Sequence, residues 1–178
     1  VGRGALLLRD LDNTWYLRGI HGLGDDVSST VEALGALLDE RGVTRTICFG
    51  NSAGGYAALL YGSLLGADAI HAFAAQTNMN KAFWDRNQLV ASMQETTALW
   101  ASVEPSEPGL DLRPTVAEAA VPVHLYYSTG VPKDLAHAQH LGELPNVTLH
   151  PRDGTEHGLA RVMRDSGELR EILVASIT

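Results

Sequence analysis

The stretch ICFGNSAGGYAALLYG, residues 47–62, decides the fold. An apolar, β-rich run, TRTICF at 44–49, stops at Gly50, and an Ala- and Leu-rich segment from Ala53 to Leu65 reads as a tightly packed helix ended by Gly66. Between them, Gly50-Asn51-Ser52-Ala53-Gly54 carries the G-x-S-x-G pattern, in which a serine sits on a strained turn between a strand and a helix. The serine backbone has little steric room there, so the residues two before and two after it must be small. Gly50 and Gly54 meet that requirement and let strand and helix approach closely. At the helix N-terminus, unsatisfied amides and the dipole favour an oxyanion, which makes the Ala53 N–H an expected donor to one. The bare pattern arises by chance in about one chain in ten of this glycine and serine content. Its place between strand-type and helix-type sequence gives it weight. A glycine-rich turn cradling a phosphate is the competing reading.

On either side, short apolar runs alternate with helical patterns. GALLLRD at 4–10 reads as a first strand. Residues 28–41 read as a helix with Val31, Leu34, Leu37 and Leu38 at helical spacing and Ser28 or Ser29 as its cap. Further strands are expected at 69–74, 121–128 (VPVHLYYS) and 147–150. Helices are expected at 83–100, 133–141 and 158–176, and EPSEPGLDLRP at 104–114 has the Pro and Gly of a loop. This order predicts one α/β domain over residues 1–178: a three-layer sandwich with a mostly parallel sheet of about five strands, helices on both faces.

Composition fits that reading. The chain has 178 residues, 45% hydrophobic and 19% charged, enough to bury a core. A net charge of -8 provides no basic face for nucleic acid or anionic lipid. No apolar stretch approaches the roughly 20 residues that span a bilayer, and the start lacks the order of a signal peptide. Neither a nucleic-acid nor a membrane partner is expected, and the cytoplasm is the default location. The single cysteine, Cys48, rules out an intrachain disulfide and reads as a core residue.

A serine on such a turn needs a base and an orienting carboxylate, in the chain order Ser, Asp or Glu, His. Of the seven histidines, His21 and His71 fall outside the expected place, His124 and His150 belong to strands, and His137 and His140 lie three apart on what reads as a solvated helix face. No Cys/His cluster supports a metal, and no cofactor is expected. His157 differs: it follows the last strand in PRDGTEHG and opens the terminal helix. The first carboxylate after the preceding strand is Asp134, placed to reach the far ring nitrogen of His157 and hold its tautomer. Capping of helix 135–141 is the alternative use of Asp134. Asp153 and Glu156 share the turn of His157 and have poorer reach.

Ser52 on its turn, Asp134 after the penultimate strand and His157 after the last resemble the α/β-hydrolase superfamily over residues 44–178. The longer string GNSAGGYAALLYGSLLGAD, with DLDNTWYLRGIHGLGDD upstream, resembles a bacterial subgroup of short hydrolase-like domains, some of them linked to glycan modification. The resemblance implies a reduced hydrolase fold in which the usual N-terminal strands are missing or belong to residues not shown. It also implies a nucleophile, Ser52, an acid, Asp134, and a base, His157. No HGG-type oxyanion segment is present, so a second donor is expected from the backbone of Leu11, Asp12 or Asn13. Trp15 and Asn51 are expected to meet substrate, and only residues 76–120 leave room for a lid. The expected activity is acyl transfer from an ester, thioester or activated acyl group, on a small-molecule or glycan-linked acyl substrate, through a Ser-His-Asp triad. The alternative is a non-catalytic hydrolase-like domain that binds or scaffolds within a larger assembly.

Overall fold

The structure, a computed structural model, describes residues 4–89 and 94–177. Its sheet contains β1 (Ile47–Asn51), β2 (Ala69–Phe73), β3 (Val123–Ser128) and β4 (Val147–Arg152). The strands lie in that order and every neighbouring pair is parallel. Parallel pairing requires crossovers, and helices supply them. Helix α1 (Val27–Glu40) precedes β1; α2 (Ala53–Leu64), then α3 (Lys81–Arg86), α4 (Gln94–Ser102) and α5 (Arg113–Ala119), then α6 (Pro132–Leu141) lie in the three crossovers; α7 (Leu159–Ser166) and α8 (Glu168–Ile177) follow β4.

Alternation along the strands divides the interior into two layers. Ile70, Ala72, Val123 and Leu125 join the main core with Leu34 of α1, Tyr56 to Tyr61 of α2, Val116 of α5 and Leu141 of α6. Phe73 and Tyr126 face the other way, onto Leu159 and Met163 of α7, with Leu169 and Ile172 of α8 packed alongside. That second face is unusually aromatic. Phe49, His71 and His124 stack across three strands at centroid spacings of 4.8 and 4.7 Å, while Tyr126 stacks on His150 at 4.4 Å. His71 Nε2 meets Ser176 Oγ of α8 at 3.0 Å. Burial favours the neutral rings: His71 is lowered to about 4, and His124 and His150 are lowered as well.

The sheet has four strands among the described residues, one fewer than expected. Residues 4–10 do not pair with any strand, and Leu6 and Leu7 are exposed. An apolar run becomes a strand only beside a hydrogen-bonding partner. Here the segment leads instead into a turn gathered by Asp10, whose carboxylate accepts the Asp12 and Tyr16 N–H groups at 3.1 and 3.0 Å. Helix α1 is capped by Asp26 rather than Ser28 or Ser29. Asp26 Oδ1 accepts the Ser29 N–H at 2.7 Å and Ser29 Oγ returns to the Asp26 N–H, a reciprocal capping box.

The expected helix 83–100 is α3 and α4 with Asn87 to Leu89 outside both; its residues 90–93 lie outside the described residues. The terminal helix is broken at Gly167, where φ of +90° separates α7 from α8. Segment 76–120 sends Trp84, Leu99, Leu110 and Leu112 into the main core. Its tryptophans are tied at their ring nitrogens, Trp84 to the Asn78 carbonyl and Trp100 to that of Met79. No helix of the described residues is long and apolar enough to cross a membrane.

Candidate active site

Ser52 follows directly on β1 and serves as the N-cap of α2 with φ 55° and ψ -121°. A non-glycine residue in that region is strained by about 1–3 kcal/mol and persists only where its surroundings over-determine it. They do so here. The Ser52 N–H donates to the Phe73 carbonyl at the end of β2 at 2.8 Å, and the Ser52 carbonyl accepts from Tyr56 at 3.0 Å. A Cβ on Gly50 would collide with the Gly54 carbonyl and stand 2.7 Å from the Gly55 nitrogen, so strand and helix can meet only at a glycine. Gly54 differs from expectation: a Cβ there meets nothing within 4 Å. The second close approach belongs to Gly55, where an added Cβ would lie 2.7 Å from that of Ala75.

The side chain of Ser52 begins a hydrogen-bonded relay. Ser52 Oγ is 2.9 Å from His157 Nε2, and His157 Nδ1 is 2.7 Å from Asp134 Oδ1. The loop bearing His157 is latched to the turn after β3. Ser128 Oγ donates to the Glu156 carbonyl at 2.6 Å, and the Thr129 and Gly130 amides donate to the Arg152 and Gly154 carbonyls, each at 2.9 Å. Asp134 stands in the first turn of α6, two residues after the Pro132 that opens it. Val131 occupies the N-cap position, and the Asp134 side chain makes no capping bond. It is buried, with Oδ1 turned to His157. Asp153 and Glu156 are engaged elsewhere, with Thr129 and Arg161.

With Nδ1–H donated to a carboxylate, His157 presents its Nε2 lone pair to the Ser52 hydroxyl. This is the tautomer that can accept the serine proton. Among the described residues no group of three or more His, Cys, Asp or Glu side chains is placed to hold a metal ion. Burial pushes the Cys48 thiol up to about 11, which keeps it protonated at neutral pH.

No protein-family model matches the sequence, and no curated protein matches it. Solved structures are similar to it in fold. An α/β hydrolase enzyme from the metagenome of sediments of the lagoon of Mar Chica, Morocco, is 17% identical, with a TM-score of 0.52 over 87% of this chain and 75% of that one. A carboxylesterase structure from Nitrososphaera gargenis is 14% identical, with a TM-score of 0.55 over 85% and 71%. MenH from S. aureus is 16% identical, with a TM-score of 0.56 over 88% and 80%. This chain has an α/β-hydrolase fold.

Within this hydrolase fold the remaining expected site residues have other placements. Asn51, expected against substrate, has its Oδ1 accepting the Ala160 N–H at 3.2 Å, which ties the serine turn to α7. Trp15, expected beside it, is 4% exposed and belongs to the main core, so its ring is packed rather than presented. Asp12 is removed as an oxyanion donor because its N–H is held by Asp10 Oδ1. Among the described residues no hydrogen bond joins residues 11–13 to the Ser52 turn. The Ala53 amide, at the first position of α2, has no intrahelical acceptor.

His137 is fully buried rather than on a solvated face. Its ring packs against Phe83 and Trp84, and Nδ1 accepts the Thr77 N–H at 3.2 Å. The sequence reading missed Gln76, whose carboxamide lies against Ser52 Oγ.

Proposed function

We propose that this protein is a serine hydrolase or acyltransferase, with Ser52 as nucleophile, His157 as general base and Asp134 as the carboxylate that orients it. What supports the reading is one observation, the continuous relay from Ser52 Oγ through His157 to Asp134 at 2.9 and 2.7 Å, anchored on a strained strand-to-helix turn. As Oγ attacks an acyl carbonyl, its proton passes to His157 Nε2 and the carbonyl electrons move onto oxygen. The Ala53 amide is a donor to that oxyanion, and Leu11 and Asn13 are the backbone candidates for a second. Collapse of the tetrahedral intermediate expels the leaving group, which takes the proton from His157 and leaves an ester on Ser52. Water, or the hydroxyl of an alcohol or sugar, then gives its proton to His157 and attacks that ester; collapse breaks the bond from Oγ to the acyl carbon, releases the acid or new ester, and returns the proton from His157 to Oγ. The substrate class is a small-molecule or glycan-linked ester, thioester or activated acyl group.

The test is labelling with a fluorophosphonate, read by intact mass. One adduct per chain, absent in Ser52→Ala, supports this assignment. A folded wild-type protein that takes up no adduct favours the binding or scaffold alternative.

A further inference from the structure

We infer that Gln76 is a fourth member of the reacting group, donating a carboxamide N–H to Ser52 Oγ and stabilising the negative charge that Oγ gathers as its proton leaves. The inference deepens the proposed function and rests on Ser52 being the nucleophile. Gln76 is 2% exposed. A buried primary amide without partners costs free energy, so its contacts are informative. Both its Nε2 and its Oε1 stand 3.4 Å from Ser52 Oγ, the one side-chain atom it meets among the described residues. The contact is long, as hydrogen bonds of an unliganded site often are before they tighten in the reacting complex. Because both amide atoms are equidistant, either assignment of the carboxamide brings an N–H within the same reach of Oγ.

The direction of the bond follows from proton counting. Ser52 has one hydroxyl proton, and His157 Nε2, whose partner nitrogen is committed to Asp134, is the acceptor for it at 2.9 Å. Oγ can therefore only accept from Gln76. During attack the O–H bond breaks toward His157 and negative charge builds on Oγ before the new C–O bond consumes it. A hydrogen bond to a charged oxygen is stronger than one to a neutral hydroxyl, so the Gln76 contact favours the transition state over the resting site. When the acyl-enzyme breaks down and Oγ departs from carbon, the same N–H meets the same charge in reverse.

The backbone around Gln76 is pinned as such a role requires. Thr77 donates its N–H to His137 Nδ1 at 3.2 Å and its hydroxyl to the His137 carbonyl at 2.8 Å. His137 lies one turn beyond Asp134 on α6, so one rigid helix sets both the carboxylate behind His157 and the loop that presents Gln76. On the other side Ala75 packs where Gly55 lacks a Cβ, which holds the loop against the first turn of α2.

The test measures the fluorophosphonate labelling rate against pH for wild type, Gln76→Met and Gln76→Glu, with thermal midpoints recorded alongside. The Met variant keeps the length and loses the donor. It is expected to label about 10- to 100-fold more slowly with its thermal midpoint near that of wild type. In Gln76→Glu a protonated carboxyl can still donate at acid pH but an ionised one repels the forming alkoxide. The rate relative to wild type is then expected to fall as pH rises and the introduced carboxyl ionises. A purely structural Gln76 would not move that profile, and the Glu variant decides the matter should the Met variant not fold. Wild-type rates and profiles in both variants would overturn the inference and leave Ser52 as nucleophile, whereas an unlabelled wild type would remove both.

Discussion

The three glycines around Ser52 make separable contributions, and alanine at each gives a different result. At Gly50 the added methyl would stand 2.7 Å from the Gly55 nitrogen, at least 0.7 Å short of the 3.4 Å at which ordinary contact begins, and closer still to the Gly54 carbonyl. All the atoms it meets are backbone, so β1 and the first turn of α2 must move apart by most of that distance. Overpacking of this kind costs about 1–3 kcal/mol, or roughly 2–12 °C of thermal midpoint for a domain of this size. The larger effect falls on Ser52, whose Oγ is held 2.9 Å from His157 and which sits between the two elements being driven apart. A displacement near 1 Å at such a site costs on the order of 10²-fold in rate. At Gly54 the methyl meets nothing within 4 Å, and alanine in a helix is favoured over glycine by about 0.5–1 kcal/mol. Gly54→Ala should therefore match or exceed wild type in thermal midpoint. Gly55→Ala should fall between, because its clash is with the Ala75 side chain at 2.7 Å and Cα at 3.2 Å. Differential scanning fluorimetry with fluorophosphonate labelling of each purified variant provides both readouts. A Gly54→Ala protein as unstable as Gly50→Ala, or a Gly50→Ala protein that labels at the wild-type rate, would refute the steric account.

Two further expectations follow from the relay and from the aromatic face. Asp134→Asn removes the charge behind His157 and offers an amide N–H that favours the other tautomer, and should lower turnover roughly 10²–10⁴-fold with an unchanged far-ultraviolet circular dichroism spectrum; wild-type turnover would return Asp134 to a structural role. His71, at 6.5 when unfolded and lowered to about 4 by burial in the fold, takes up a proton on unfolding between those values. Stability is thus complete above pH 6.5 and declines as pH falls toward 4, with His71 contributing up to about 1.4 kcal/mol per pH unit, and less to the extent that solvent screens the ring. His71→Phe keeps the stack and should flatten the pH dependence of urea unfolding in that window; an unaltered slope would contradict the burial argument.

Much of this molecule could be read directly from its residues, and the exceptions have physical causes. The serine turn announces itself because its strain limits the neighbouring residues to a few types, so Gly50 and Ser52 were visible at once. The convergence of Asp134 and His157 on Ser52 was legible from position, since a parallel sheet aligns the carboxyl ends of its strands along one edge. The four strands from β1 to β4 were legible from β-branched and aromatic runs bounded by glycine and proline. Residues 4–10 have the same look, yet pairing is a relation between two segments and no local pattern records whether a partner exists. Gly54 and Gly55 are indistinguishable in sequence, and only the approach of Ala75 shows which one is sterically needed. Asn51 and Trp15 were misjudged for a related reason. A polar or aromatic residue near a nucleophile reads as a ligand contact, whereas here one ties the turn to α7 and the other fills the core. Gln76 gave no signal at all, because a lone glutamine in AAQTNMN belongs to no pattern, and its contact with Ser52 comes from two turns of chain meeting.

Among the described residues Ser52 follows β1, an outer strand bonded to β2 only, while His157 follows β4, the opposite outer strand bonded to β3 only, and Asp134 follows the inner β3. An outer strand can peel away without dissolving the layers beneath it, because the cost of that excursion is a fraction of the cost of global unfolding. Ser52 and His157 thus hang from opposite outer strands, and the inner pair β2 and β3 can stay intact when either edge lets go. The working lifetime of such a site is governed by sub-global opening, so warmth or mild denaturant can silence the serine while most of the sheet still stands.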